Sequence, residues 1–209
     1  VQDALAEHMG VSRVPIREAL KTLEAEGQVT YLPHRGYFVT EMSLEELLET
    51  YRIRELLEDE AVRLAVPQLA DEDFARMTEA LRDIERAHRG GDLVAVTEAN
   101  RRFHFALLDA SGQRRLSNMI RMLWDSTDPY RSLYFALPNN RRRVNSEHRK
   151  IISAAKAKDI DQAVALLAEH RHNAIAGLTT IFEQQPAPAG GDSSRARTPR
   201  KGRRPDQHT

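Results

Sequence analysis

Between residues 41 and 185 every break in the chain reads as a helix stop, and no stretch alternates as a strand does. That punctuation constrains the fold more than any other feature. Ser43 with Glu46 makes a capping box, the hydroxyl taking a first-turn N–H while the carboxylate reaches back, so a helix should run towards Val66-Pro67. Asp71 opens a second helix, closed at His88-Arg89-Gly90-Gly91 with basic residues against the negative end of the helix dipole. Asp92 caps a third that ends near Ser111-Gly112. Three more read as about 114–136, 141–157 and 160–184, broken at Pro138-Asn139 and Lys158-Asp159. About six helices with short connections predict an antiparallel all-α bundle.

The first 40 residues follow another pattern. Asp3–Met9 is a turn and a half of helix with Ala4, Leu5, His8 and Met9 on its apolar side. Gly10 supplies a tight turn, Ser12 an N-cap, and Pro15 sits in the first turn, where its missing N–H is harmless. The helix continues to about Glu26 and stops at Gly27. "QVTYLPHRGYFVT" then gives two β-rich runs around Pro33-His34-Arg35-Gly36, a hairpin signal. Ile16, Ala19, Leu20 and Leu23 are spaced to pack inward, while Arg13, Arg17 and Lys21 lie four apart on another face. Free N–H groups beside Ser12 suit a phosphate, and arginine forks reach guanine edges. Arg35 with Gly36, at the hairpin tip, would enter the minor groove or touch the DNA backbone. Two helices and a basic-tipped hairpin have the layout of a winged helix-turn-helix. A small structural subdomain with solvated arginines would show the same periodicity.

The expected fold class is therefore mostly α: a winged helix-turn-helix with a short β-hairpin wing over 1–40, then the bundle over 41–185. Residues 186–209, rich in Pro, Gly, Ser and Arg, should be a disordered basic tail, solubilising or touching nucleic acid. Net charge is zero over the chain, so any nucleic-acid role must come from local placement rather than bulk attraction. There is no cysteine, hence no disulfide framework, and no apolar stretch long enough to span a bilayer or to serve as a signal peptide. The expected location is the cytoplasm, with no membrane partner.

The bundle's chemistry lies in polar residues on inward stripes. Leu93, Val96, Asn100, Phe103, His104 and Leu107 share one face of the third bundle helix, which makes Asn100 and His104 neighbours. His148 shares a face with Ile151, Ile152 and Ala155, and His170 with Ala163, Leu166, Leu167, Ala174 and Leu178. One inward histidine is ordinarily a hydrogen-bonded core residue. Three imidazoles and an amide converging from three helices favour a metal site. These donors do not choose the ion; zinc is the first expectation, with nickel, manganese and iron as alternatives. Arg54 suits a carboxylate, or an outer-face pair with Glu58 one turn on. Trp124, Tyr130 and Tyr134 read either as pocket lining or as ordinary core. No acid or base stands out beside the inward ligands, which weighs against a metal-dependent hydrolase.

The order of residues adds a resemblance. "LAEHMGVSRVPIREALKTLEAEGQVTYLPHRGYFV" resembles the winged-helix domain of the GntR family of bacterial transcription regulators. "YRIRELLEDEAVRLA", "NRRFHFALLDASGQRRL" and "SEHRKIISAAKAKDIDQAVALLAEHRHNA" are similar to the FCD effector domain of its FadR-type branch. The resemblance implies a DNA-binding, metabolite-responsive regulator, repression relieved by the effector being the commoner behaviour, and no enzyme. It implies recognition-helix roles for Ser12, Arg13 and Arg17 and a wing role for Arg35 and Gly36. It implies a divalent metal on Asn100, His104, His148 and His170, often Asp at the first position, with Arg54 beside a small organic acid. A homodimer on a pseudo-palindromic double-stranded operator follows from the same likeness. Family members carry a further helix before the one at Asp3–Met9, and a basic or polar residue near Asp3, so this chain reads as a winged helix with its first helix missing, from a truncated reading frame, the alternative being a dimeric sensor that has lost DNA binding.

Overall fold

In a computed structural model, which describes residues 2–25, 27–39 and 42–184, the two patterns become two units. The first holds α1 (Gln2–Met9), α2 (Arg13–Ala25) and an antiparallel hairpin of β1 (Val29–Leu32) and β2 (Gly36–Val39). Pro33 and His34 make the turn, with Arg35 N–H bonded to the Leu32 carbonyl at 3.0 Å and His34 at φ 64°. A histidine tolerates that left-handed conformation at a cost of about 1–2 kcal/mol. The small core of this unit is Ala6, Ile16 and Leu20, with Val29 and Tyr37 packed on it. Two expectations need correcting here. The face of α1 that packs is centred on Ala6, whose small side chain lets α2 approach, while Leu5 and Met9 are 37% and 60% exposed. On α2, Ile16 and Leu20 are buried and Leu23 half-buried, but Ala19 faces solvent.

The second unit is the bundle: α3 (Leu44–Ala65), α4 (Asp71–Gly90), α5 (Leu93–Leu108), α6 (Arg114–Ala136), α7 (Pro138–Lys156) and α8 (Ile160–Gln184). Short 3₁₀ turns follow α3 (Val66–Gln68) and α5 (Asp109–Ser111). The capping box forms as read, Ser43 Oγ accepting from Glu46 N–H at 3.2 Å and the Glu46 carboxylate from Ser43 N–H at 2.7 Å. Gly91 (φ 74°) and Gly112 (φ 67°) take the left-handed conformation that closes α4 and the turn after α5. One boundary moves. α7 begins at Pro138 rather than about 141, because proline at a first helical position gives up no hydrogen bond. α6 runs through Pro129, which leaves one helical hydrogen bond unmade in its middle.

Two apolar clusters fill the bundle. The larger gathers Met77, Ile84, Phe103, Trp124, Ile151 and Leu167; the smaller gathers Leu47, Tyr51, Tyr134, Phe135, Val144 and Leu178. Lys158, at φ 56°, ties the loop before α8 to the end of the α3 segment by donating to the Val66 and Leu69 carbonyls at 2.9 and 2.8 Å. The basic tail expected over 186–209 lies outside the described residues.

Candidate metal centre and DNA-reading surface

The α5 stripe turns inward as spaced: Val96, Asn100, Phe103, His104 and Leu107 are all at most 2% exposed. α7 brings His148 and α8 brings His170 to the same place. One ligand atom from each of the three histidines can be chosen so that all lie within 4.8 Å of one another. Both ring nitrogens of His104, both of His148 and the Asn100 amide oxygen are buried without a hydrogen-bond partner. A buried polar atom left so costs about 1–3 kcal/mol, a cost that coordination or a hydrogen bond to a bound group would offset. Burial, together with the neighbouring imidazoles, holds His104 and His148 well below the ordinary imidazole pKa, which keeps both in the neutral form that ligates metal.

His170 differs in having a partner. Its Nδ1–H donates to Glu147 at 2.6 Å, which leaves Nε2 as its remaining donor atom. Glu147 also accepts from the Asn173 amide at 2.7 Å, and Arg143 lies 3.6 Å away. Burial would raise this carboxyl, but His170, Asn173 and Arg143 together hold it below the usual range. So an acid does stand beside the inward ligands, contrary to the sequence reading. Its neighbour in the chain, His148, lies on the inward stripe, and adjacency in sequence does not show that both side chains turn the same way on a helix.

Beside the histidines lies a cavity of about 20 Å³, lined by residues that include Tyr51, Arg54, Asn100, His104, Trp124 and Arg131. It sits where the two apolar clusters meet, with Trp124 from one and Tyr51 and Tyr134 from the other. Arg54 lines this cavity. It does pair with Glu58, at 2.9 Å, yet the pair is buried rather than on an outer face. Glu58 also accepts from Arg171 at 3.1 Å and from the Trp124 indole at 2.6 Å. Burial alone would push the Glu58 carboxyl up; Arg54 and Arg171 outweigh it and hold it below the ordinary range. Trp124 and Tyr134 line the cavity, whereas Tyr130 is engaged elsewhere, through its hydroxyl with the Met42 backbone. Arg131 and Arg171 were not singled out in the sequence. Their signal was the α6 stripe Trp124, Thr127, Arg131, Tyr134 and the α8 stripe Val164, Leu167, Arg171, Leu178, each buried along its length.

The residues expected to read DNA are on the opposite kind of surface. Ser12 stands just before α2 and is exposed, as are Arg13 and Arg17 on the helix; Arg35 is exposed at the hairpin tip, with Gly36 half-buried beside it. Arg13 is ion-paired to Asp3 at 2.6 Å, with both side chains more than 60% exposed. Arg17 and Lys21 share Glu18, each at 3.7 Å. Arg35 rests over the Phe38 ring at 5.3 Å.

The FCD domain family matches over residues 49–173, and the family of bacterial regulatory proteins named gntR matches over 1–39. The chain belongs to the GntR family and carries an FCD domain. This regulator is 35% identical to the HTH-type transcriptional regulator McbR of Escherichia coli, over 83% of this chain and 80% of that one. It is 28% identical to the HTH-type transcriptional regulator LutR of Bacillus subtilis, over 87% and 91% of the two chains. The solved structure of E. coli McbR/YncC superposes with a TM-score of 0.81 at 32% identity, covering 87% of each chain. The regulator is thus a DNA-binding transcription factor with a small-molecule-sensing domain, and not an enzyme. Among the described residues no helix is long and apolar enough to cross a membrane.

Proposed function

We propose that this regulator is a repressor acting in the cytoplasm, whose bundle holds a divalent metal on Asn100, His104, His148 and His170 and binds a small organic acid beside it. The observation that carries the reading is the buried histidine triad with unpartnered nitrogens next to a cavity lined by Arg54. The donor set fits a metal: three neutral imidazoles and an amide oxygen, with Glu147 orienting His170 from outside. A bound divalent ion would supply a cationic anchor for one carboxylate oxygen. Zinc is the first choice, and nickel, manganese and iron suit the same donors. Because Asn100 brings no negative charge, the donor set leaves the ion's charge for the acid to offset.

Ser12, Arg13, Arg17, Arg35 and Gly36 are the residues proposed to meet the operator. A homodimer would set two α2 helices in successive major grooves of a pseudo-palindromic site. Exposed Ile53 and Leu56 on α3, and Met119 and Met122 on the adjoining α6, supply apolar surface for such a pairing. Coupling to the wing has a short route. The Tyr130 hydroxyl on α6 accepts from Met42 N–H and donates to its carbonyl at 3.3 Å, joining α6 to the segment that leads into α3. A ligand that favours one position of α6 would thereby bias the winged unit, and repression would be lifted through that differential affinity.

The test is a thermal-shift panel of small carboxylic acids on metal-stripped and metal-reloaded protein, since a ligand of the folded state raises stability as ln(1 + [L]/Kd). Stabilisation by an acid only with metal present is the expected outcome. Equal midpoints for all acids with metal present would make the histidine cluster purely structural.

A further inference from the structure

The winged unit carries five acids against four bases over residues 1–39, so it has no surplus positive charge with which to hold DNA. What discrimination it has must come from how single side chains are aimed. The bases on α2 are held in two ways. Arg17 and Lys21 share Glu18 on their own helix, each at 3.7 Å, too far to commit a donor to that acceptor. Arg13 is paired across elements: its Nε lies 2.6 Å from Oδ1 of Asp3, in the first turn of α1. The turn between the two helices sets that reach. Val11 N–H donates to the Ala6 carbonyl at 3.0 Å and Gly10 N–H to the Glu7 carbonyl at 3.2 Å, with Gly10 at φ 66°, the left-handed closure of a helix end. Ala6 on α1 packs with Ile16 and Leu20 on α2. Asp3 and Arg13 thus meet across two packed helices, although both side chains are themselves exposed.

We propose that Asp3 is a positioning residue for DNA reading: it holds Arg13 at its Nε edge, so that the outer end of the guanidinium meets one guanine. The inference rests on the preceding reading that Arg13 meets the operator. A guanidinium has five N–H donors, and a carboxylate seated in one fork takes at most two of them. The others remain for the O6 and N7 acceptors of a guanine edge. A free arginine surrenders its rotamer freedom on entering the groove, and one already held surrenders less. On the open surface such a pair is worth little, because water competes for both partners. Inside the groove, with that water displaced, the same pair strengthens, and its aim becomes sequence preference. An acid at this place also repels phosphates, whatever the sequence. The two actions separate cleanly: positioning favours one base pair, whereas repulsion weakens every duplex alike.

The probe is chosen by the protein itself: the full chain selects from a randomised duplex of about 20 base pairs, long enough for two half-sites one helical turn apart. Wild type, Asp3→Ala, Asp3→Glu and Arg13→Ala are then titrated against the selected duplex, each of its single-base-pair substitutions and a scrambled duplex, with the thermal midpoint checking each fold. Arg13→Ala should lose preference at one base pair of each half-site by about ten- to hundredfold. Asp3→Ala should lose about three- to tenfold at that same base pair, the cost of fixing one long side chain, while binding the scrambled duplex as tightly as wild type or more so. Asp3→Glu, which keeps the acid, should restore much of the preference. An Asp3→Ala protein that keeps the wild-type preference, whether or not it tightens on every duplex, overturns the assignment and leaves Arg13 a base reader. Unchanged preference in Arg13→Ala removes Arg13 from base reading, and the assignment with it. If wild type selects no sequence, the operator reading and the assignment fall together.

Discussion

Arginine is used in opposite ways at the two ends of this chain. In the winged unit the side chains of Arg13 and Arg17 are 74% and 57% exposed, and their acidic partners are exposed too. In the bundle the side chains of Arg54, Arg131 and Arg171 are 3%, 6% and 4% exposed and converge on one cavity. An exposed ion pair is a loose arrangement that exchanges cheaply for a phosphate or a base edge, because water already solvates both partners. A buried guanidinium has no such freedom: its partners are part of the fold, and any donor left over is available only to something that enters the cavity. The same residue type is thus free to meet a partner at the surface of one unit and is built into the interior of the other.

The comparison breaks most sharply at Glu58. Glu58→Gln removes a fully buried carboxylate and leaves Arg54 and Arg171 without their shared acceptor. The expected loss is about 3–5 kcal/mol of unfolding free energy, read from urea denaturation. The sign with pH agrees. The folded carboxyl is held below its ordinary 4.5, so its stabilisation is fully present above that value and is lost as pH falls through the folded one. A variant as stable as wild type would mean that the arginines find other partners and that the frame is not a unit.

The next largest effect concerns the histidines without metal. His104 and His148 titrate in the folded chain well below the ordinary value of 6.5, for burial first and neighbouring charge second. Their contribution to stability is full above that value and is lost as pH falls below it towards the depressed folded pKa, since only the unfolded chain takes up the protons. Metal-stripped protein should therefore lose stability steeply on acidification below about 6.5. His104→Leu should flatten that dependence and abolish any rise of the thermal midpoint on adding zinc. A preserved zinc-dependent rise in the variant would remove His104 from the donor set.

Much of the bundle was legible because its helix boundaries are written in local chemistry: the Ser43–Glu46 box, the Asp92 cap, Gly91 and Gly112 at φ values that other residues resist. The α5 stripe was legible for the same reason, as spacing alone puts Asn100 and His104 on the apolar side. Glu58 was not. A glutamate one turn after an arginine looks the same whether the pair faces solvent or core, and only the packing of α6 and α8 against α3 decides it. Arg131 was hidden by the habit of placing charge outside, although Trp124 and Tyr134 on its stripe pointed inward. In the winged unit the hairpin was readable from its turn residues, but the face of α1 was not. Eight residues are too few for periodicity to separate an Ala6 contact from a Leu5–Met9 one.

On the exposed side, Arg17→Ala should relax operator discrimination about ten- to hundredfold if Arg17 reads a base edge, while leaving the unfolding midpoint unchanged. Binding to a panel of singly substituted operators checks it. A uniform weakening across the panel, with a shallower salt dependence, would make Arg17 a phosphate contact instead. Either outcome keeps the division between the two units, because in both the buried clusters of the bundle stay as they were.

The smallest effect is the sharpest control on the comparison. Arg63 donates to Asp161 at 2.8 Å, as close as Arg54 lies to Glu58 at 2.9 Å, and the two pairs are chemically alike. Distance therefore cannot be what separates them. The Asp161 side chain is 89% exposed, and water solvates either partner as soon as the other leaves. Asp161→Ala should leave the urea midpoint indistinguishable from wild type, where Glu58→Gln moves it by a large fraction of the total stability. Equal effects of the two substitutions would mean that the Glu58 frame is as well solvated as the surface.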